Sequence, residues 1–179
     1  MQAARARQVF DRFDAAEYKL CLRLNRGADV RSVRNVFAVA SRLGDGLFWY
    51  VLMLMLPLLY GQEGIVPAIQ MGITSLFGVG LYKLLKHRLV RERPYISLAG
   101  IHAAIPPLDR YSFPSGHTLH AVCFTILATS HFPELGWVLW PFAAMVAASR
   151  PVLGLHYPTD VAAGGGLGAA LASLSLAIV

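Results

Sequence analysis

Five long apolar segments with almost no charge constrain this chain more than any other feature. They cover residues 46–60, 64–85, 116–132, 135–149 and 159–179. Several are 15–17 residues long, short of the ~20 needed to cross a bilayer untilted, so flanking residues must extend them. Phe48, Trp49 and Tyr50 mark one end of the first segment and Tyr60 the other, as aromatic residues do at membrane interfaces. Residues 61–64 and 132–134 read as tight turns between spans. Hydrophobic residues make up 56% of the 179 and charged residues only 15%, against about 25% in soluble domains. One small core cannot bury that much apolar surface, and a disordered chain would be far more polar. The expected fold is all-α: a polytopic membrane helical bundle of about five transmembrane helices, with six possible, in residues 45–179.

Residues 1–44 are of another kind. Arg5, Arg7, Arg12, Lys19, Arg23 and Arg26 are spread through them with no unbroken apolar run, which excludes a secretory signal. Val9, Phe10, Phe13, Leu20, Leu22 and Leu24 alternate with charge up to a break at Asn25-Arg26-Gly27. Val30, Val33, Phe37 and Ala40 then recur at helical spacing. Two amphipathic helices at the membrane surface are expected. The net charge of +6 suits nucleic acid, anionic lipid or an anionic substrate. So little chain lies outside the apolar segments that no nucleic-acid partner is expected. Cys21 and Cys123 have neither metal nor disulfide spacing. Gly164-Gly165-Gly166-Leu167-Gly168 is no dinucleotide fingerprint, because no strand precedes it. Small residues there let membrane helices approach closely.

Following the chain across the bilayer puts Lys86, Arg93, Ser115, His117, Arg150, His156 and Asp160 at one side, with all 16 Lys and Arg residues. Lys86 and Arg93, seven apart, share a face of a continuing helix. They suit a phosphate, one as a point charge and one as a fork, or else a positive-inside anchor. Pro94 would end that helix. Pro114-Ser115-Gly116-His117 reads as a helix start whose free N–H groups bind an anion, with His117 in reach as proton donor, or as a Ser N-cap beside an interfacial His. His156 and Asp160 are four apart. A carboxylate on one ring nitrogen makes the other a better base or nucleophile, though the two could also be a capping pair. No carboxylate cluster suits Mg²⁺ or Ca²⁺, and no Cys/His set has zinc spacing. The cations stand where a metal would, so neither metal nor cofactor is expected.

In this order, Lys86-x6-Arg93-Pro94, Pro114-Ser115-Gly116-His117 and Ser149-Arg150-x5-His156-x3-Asp160 resemble the three-part signature of the type-2 phosphatidic acid phosphatase superfamily, which also contains the vanadium haloperoxidases. The resemblance spans roughly residues 41–170. It implies a membrane hydrolase of lipid phosphates or diphosphates that works without a metal. His156 would be the nucleophile, forming a phosphohistidine, and Asp160 would orient it. His117 would protonate the leaving oxygen and later help activate water. Lys86, Arg93, Arg150, Ser115 and Gly116 would hold the phosphate oxygens. Polyprenyl (di)phosphate, phosphatidylglycerol phosphate and phosphatidic acid are the leading substrates. No required protein partner is expected.

Many bacterial members carry a further span before the surface helices, which this chain is expected to lack. Its basic side would then face the cytoplasm by the positive-inside rule, in what is expected to be a bacterial inner membrane. Residues 95–112 would cover the site and select substrate. His87, His102, His120 and His131 read as interfacial or packing residues. The alternative is a non-catalytic membrane module that binds anionic lipid, which would need the cations but not His117 or the His156–Asp160 pair.

Overall fold

The computed structural model describes the backbone of residues 2–178 and the side chains of residues 14–178. Eight helices follow in order: α1 (Gln2–Asn25), α2 (Arg31–Gly44), α3 (Leu47–Tyr60), α4 (Ile65–Arg88), the single turn α5 (Pro94–Ser97), α6 (Gly116–His131), α7 (Gly136–Val152) and α8 (Pro158–Ile178). Short 3-10 turns at Arg26–Asp29, Gly61–Gly64 and Pro133–Leu135 join neighbours. Among the described residues there is no strand.

Helix α6 is the central element, packed against α8, α7 and α4. Its contact with α8 depends on small residues. A Cβ added at Gly164 would collide with the Ser115 carbonyl, and one at Gly168 with the Leu119 carbonyl. The glycine run is therefore a helix-packing surface, as its composition suggested. Trp49, Leu56, Met71, Leu127, Leu139 and Val146 are buried in the core between the helices. The outside is apolar as well: Phe77 is 69% exposed and Trp137 88%. A surface of this kind suits lipid rather than water. Among the described residues two stretches, Leu47–Arg88 and Pro158–Ile178, are long and apolar enough to cross a membrane. Helices α6 and α7 have 16 and 17 residues.

The five apolar segments correspond to α3, α4, α6, α7 and α8, with ends shifted by up to three residues. The two largest shifts lengthen α4, which runs through Lys86 to Arg88, and α7, which runs through Arg150 to Val152. Both N-terminal helices form, and the break at Asn25-Arg26-Gly27 is the start of the Arg26–Asp29 turn. The side chains of Arg5, Arg7, Val9, Phe10, Arg12 and Phe13 lie outside the described residues, as does Val179. Helix α2 turns its small residues Ala40, Ser41 and Gly44 inward and packs on α7, leaving Val36 and Val39 exposed.

Candidate active site

The three signature segments meet around one cavity of about 640 Å³. At one end it is lined by Lys86, Arg93, His117, Arg150 and His156; deeper, by Trp49, Val79 and Phe124. Charge at one end and apolar wall at the other is the shape of a slot for an amphiphile.

Lys86 and Arg93 do not share a helix as their spacing suggested. Helix α4 stops at Arg88, and Arg93 sits in extended backbone ahead of Pro94. They meet because the chain doubles back and both grip Asp109. Lys86 Nζ donates to the two carboxylate oxygens at 2.8 and 2.7 Å, and Arg93 Nη2 to one of them at 2.7 Å. Burial alone would raise the Asp109 carboxyl, but these two cations outweigh it and hold it below the usual carboxylate range. Its side chain remains 40% exposed, open to the cavity it lines.

Ser115 is the N-cap of α6. Its hydroxyl accepts from the Thr118 N–H and pairs with the Thr118 hydroxyl. Fully buried, it does not line the cavity, whereas Gly116 and His117 do. His117 Nε2 faces Asp45 at 3.6 Å. The Asp45 carboxyl is raised by burial, with Arg150 acting the other way. Arg150 donates to Ser41 Oγ from Nη1. Its Nε is buried with no partner, an unspent donor at the charged end.

His156 lies on the loop between α7 and α8, 2% exposed. Its Nε2 is 3.3 Å from Arg93 Nη1. A guanidinium can only donate, so Nε2 is the acceptor and carries the lone pair. The ring proton is then on Nδ1, which faces Asp160 Oδ2 at 3.5 Å. At that distance Nδ1 makes no hydrogen bond. Burial and the neighbouring Arg150, Arg93 and Lys86 push the imidazole well below the ordinary histidine range, against a smaller opposing pull from Asp109. At neutral pH it is an uncharged base with its lone pair among cations.

The loop is shaped by Gly154, whose φ of +75° favours glycine. A side chain there would also strike the His102 carbonyl. Asn25 clamps the covering loop to the end of α7: Nδ2 donates to the His102 and Val152 carbonyls, and Oδ1 accepts from the His102 N–H. Arg93 Nη1 donates to the Leu155 carbonyl at 2.7 Å. His156 is thus fixed from three directions.

Sequence reasoning missed Asp45, Asp109, Glu17 and Arg91. Arg91 bridges Asp160 and Glu17, at 2.6 and 2.7 Å. None of these pairs has a periodic spacing; each joins segments 16 to 74 residues apart, so only the fold discloses them. His87 and His120, expected at interfaces or in packing, also line the cavity. Residues 95–112 do form part of its cover, supplying Leu108, Asp109, Arg110 and Tyr111 to its lining. Among the described residues no group of three or more His, Cys, Asp or Glu is placed to hold a metal ion.

Fold and site together define a class: an all-helical membrane protein with a cationic pocket built on a His–Asp pair. The chain belongs to the PAP2 superfamily, whose model matches residues 67–179. It is 31% identical over 113 residues to the undecaprenyl-diphosphatase BcrC of Bacillus subtilis, covering 63% of this chain and 58% of that protein. It is 28% identical over 152 residues to an undecaprenyl-diphosphatase of Sulfolobus acidocaldarius, covering 83% and 72%. Aquifex aeolicus LpxE has the same fold, with a TM-score of 0.77 and 23% identity over 89% of this chain and 93% of that one.

Proposed function

We propose that this chain is a metal-independent hydrolase of a lipid phosphate or diphosphate, acting through a phosphohistidine. One observation carries the reading: the His156 lone pair lies among cations in a cavity that Trp49, Val79 and Phe124 also line. A binding module would need the cations but not a buried, uncharged imidazole backed by a carboxylate.

In this reading Nε2 of His156 attacks phosphorus, and the bond to the leaving oxygen breaks. His117 gives that oxygen its proton. Asp160 stabilises the positive charge that develops on the His156 ring. Lys86, Arg93 and Arg150 take the charge on the phosphoryl oxygens, a duty metals have elsewhere. Water, relieved of a proton by His117, then attacks the phosphohistidine, releasing phosphate and restoring His156. The Ser115 hydroxyl acts through the helix start it caps, while the Gly116 N–H faces the anion. Asp109 is the group the phosphate displaces, since a carboxylate gripped by Lys86 and Arg93 occupies the position of phosphoryl oxygens.

Two relatives are named for undecaprenyl diphosphate and one for phosphatidylglycerophosphate. Lys83, His87 and Arg110 at the cavity mouth favour the diphosphate, because they can meet a second phosphate. Five spans through α3, α4, α6, α7 and α8 would put the site and the described Lys and Arg residues at one membrane face, which the positive-inside rule assigns to the cytoplasm. Glu63 and Glu134 lie in the turns at the other face. Labelling a Glu63→Cys variant from outside the cell supports that orientation; labelling only from the cytoplasm reverses it.

The deciding assay is phosphate release by detergent-purified protein in EDTA. Phosphatidic acid, phosphatidylglycerol phosphate, undecaprenyl diphosphate and a soluble phosphate ester are offered. Release from a lipid that EDTA does not suppress is expected. Lipid binding with no release from any of them favours the binding module instead.

A further inference from the structure

The nucleophile's carboxylate is held from outside the bundle. Asp160 Oδ1 accepts from Arg91 Nη1 at 2.6 Å, and Oδ2 accepts from the Tyr157 N–H at 2.9 Å. The other arm of the same guanidinium, Nη2, donates to Glu17 on α1 at 2.7 Å. Arg91 Cζ also lies over the Tyr157 ring, 3.7 Å from its centroid. Glu17 reaches α8 by a second route. Its Oε1 accepts from the Thr159 N–H at 3.0 Å and from the Thr159 hydroxyl, one residue before Asp160. Glu17 is only 7% exposed, and a carboxylate so buried is costly unless its partners are fixed.

We propose that Glu17 and Arg91 are positioning residues for the reaction, and that the first surface helix is thereby part of the catalytic apparatus. The inference rests on reading His156 as nucleophile and Asp160 as its orienting group. Its physical content is a division of charge. Arg91 bonded to Asp160 alone would largely neutralise the carboxylate that His156 needs. Glu17 on the opposite arm takes up part of that positive charge and leaves Asp160 anionic toward the ring. The fork also fixes the carboxylate's rotation, because Oδ1 is committed to Arg91 and only Oδ2 can face Nδ1. The Thr159 contacts set the first turn of α8 from which Asp160 projects. Neither Glu17 nor Arg91 lines the cavity, so their effect should fall on turnover and not on substrate binding.

The test is a double-mutant cycle of wild type, Glu17→Gln, Asp160→Asn and the double variant. It is read by lipid-phosphate turnover and by orthovanadate binding in a titration calorimeter. Orthovanadate resembles the phosphoryl group in transit, so it reports on His156 without turnover. Glu17→Gln is expected to lower kcat about 10-fold with KM within twofold, and to add less than twofold once Asp160 is Asn, because coupled residues are non-additive. Vanadate affinity should follow the same pattern. Equal losses in both backgrounds, or a change confined to KM or to the unfolding midpoint, overturn the proposal. If Glu17→Gln is not recovered folded, Arg91→Lys takes its place, since an ammonium lacks the planar fork whose two arms hold the carboxylates in fixed geometry. Failure of both to fold marks a purely structural tie and also overturns it. A wild type that hydrolyses no lipid phosphate and binds no vanadate fails the phosphatase reading itself. An active wild type with additive losses fails only the Glu17–Arg91 link.

Discussion

The same three helices carry polar side chains at both ends of the bundle, and the two ends differ in kind. At the far end, Gln70 and Thr74 of α4, His131 of α6 and Ser175 of α8 bond one another. Gln70 Nε2 donates to Ser175 Oγ at 3.1 Å, Thr74 pairs with Ser175 at 3.0 Å, and Gln70 Oε1 lies 3.1 Å from His131 Nε2. At the near end the same helices supply Lys86, His117 and Asp160. There the groups meet around a cavity, and the Arg150 Nε and His156 Nδ1 stay buried without a hydrogen bond. Polar groups that satisfy one another act as interhelical glue. Charged groups left partly unsatisfied around a cavity have capacity reserved for a ligand. Polarity inside a membrane bundle does not mark a site by itself; unspent polarity does.

Substitutions at the near end should break function and leave the fold. The largest effect is expected for His156→Ala, which should cut phosphate release by at least about 10³-fold, while lipid binding in a vesicle flotation assay persists. Loss of both together would make His156 structural.

Asp109→Asn should act in the opposite direction on affinity. It removes the carboxylate that competes for Lys86 and Arg93, so inhibition by inorganic phosphate should tighten by about 10-fold, by the worth of one charge-assisted contact. Weaker inhibition would mean that Asp109 positions the cations for substrate instead of standing in for it.

The pH dependence follows from His156. Its imidazole is depressed by burial and by Arg150, Arg93 and Lys86, with Asp109 opposing. In the proposed mechanism the nucleophile is the neutral form, so activity should be lost only as pH falls through that lowered value. No His156 limb should therefore be visible in kcat/KM between pH 7 and 6. A fall of that limb near pH 6.5 would show an imidazole at its ordinary value.

The smallest effects belong to the far end. Ser175→Ala should lower stability by about 0.6 kcal/mol, the mean for such contacts in membranes, and keep activity within twofold. A larger loss of activity there would dissolve the distinction between the two ends.

The apolar segments were legible because each helix in lipid must satisfy its own backbone, which leaves a long uncharged run in the sequence. The three motifs were legible as groups because each is local: a turn, a cap, an i,i+4 pair. The position of Arg93 was misjudged for the complementary reason. Helical spacing assumed that α4 continued, and the chain instead left the helix after Arg88.

By itself the sequence determined an all-helical, lipid-facing chain and the chemistry gathered on one of its faces, since burial in lipid and helix periodicity are written into neighbouring residues. Tertiary structure alone decided which charges are spent. It closed Asp109 onto Lys86 and Arg93, gave the Ser115 hydroxyl to Thr118, and tied Glu17 through Arg91 to Asp160. Such pairings depend on where distant segments cross in space, and charges attract whatever the fold brings within reach.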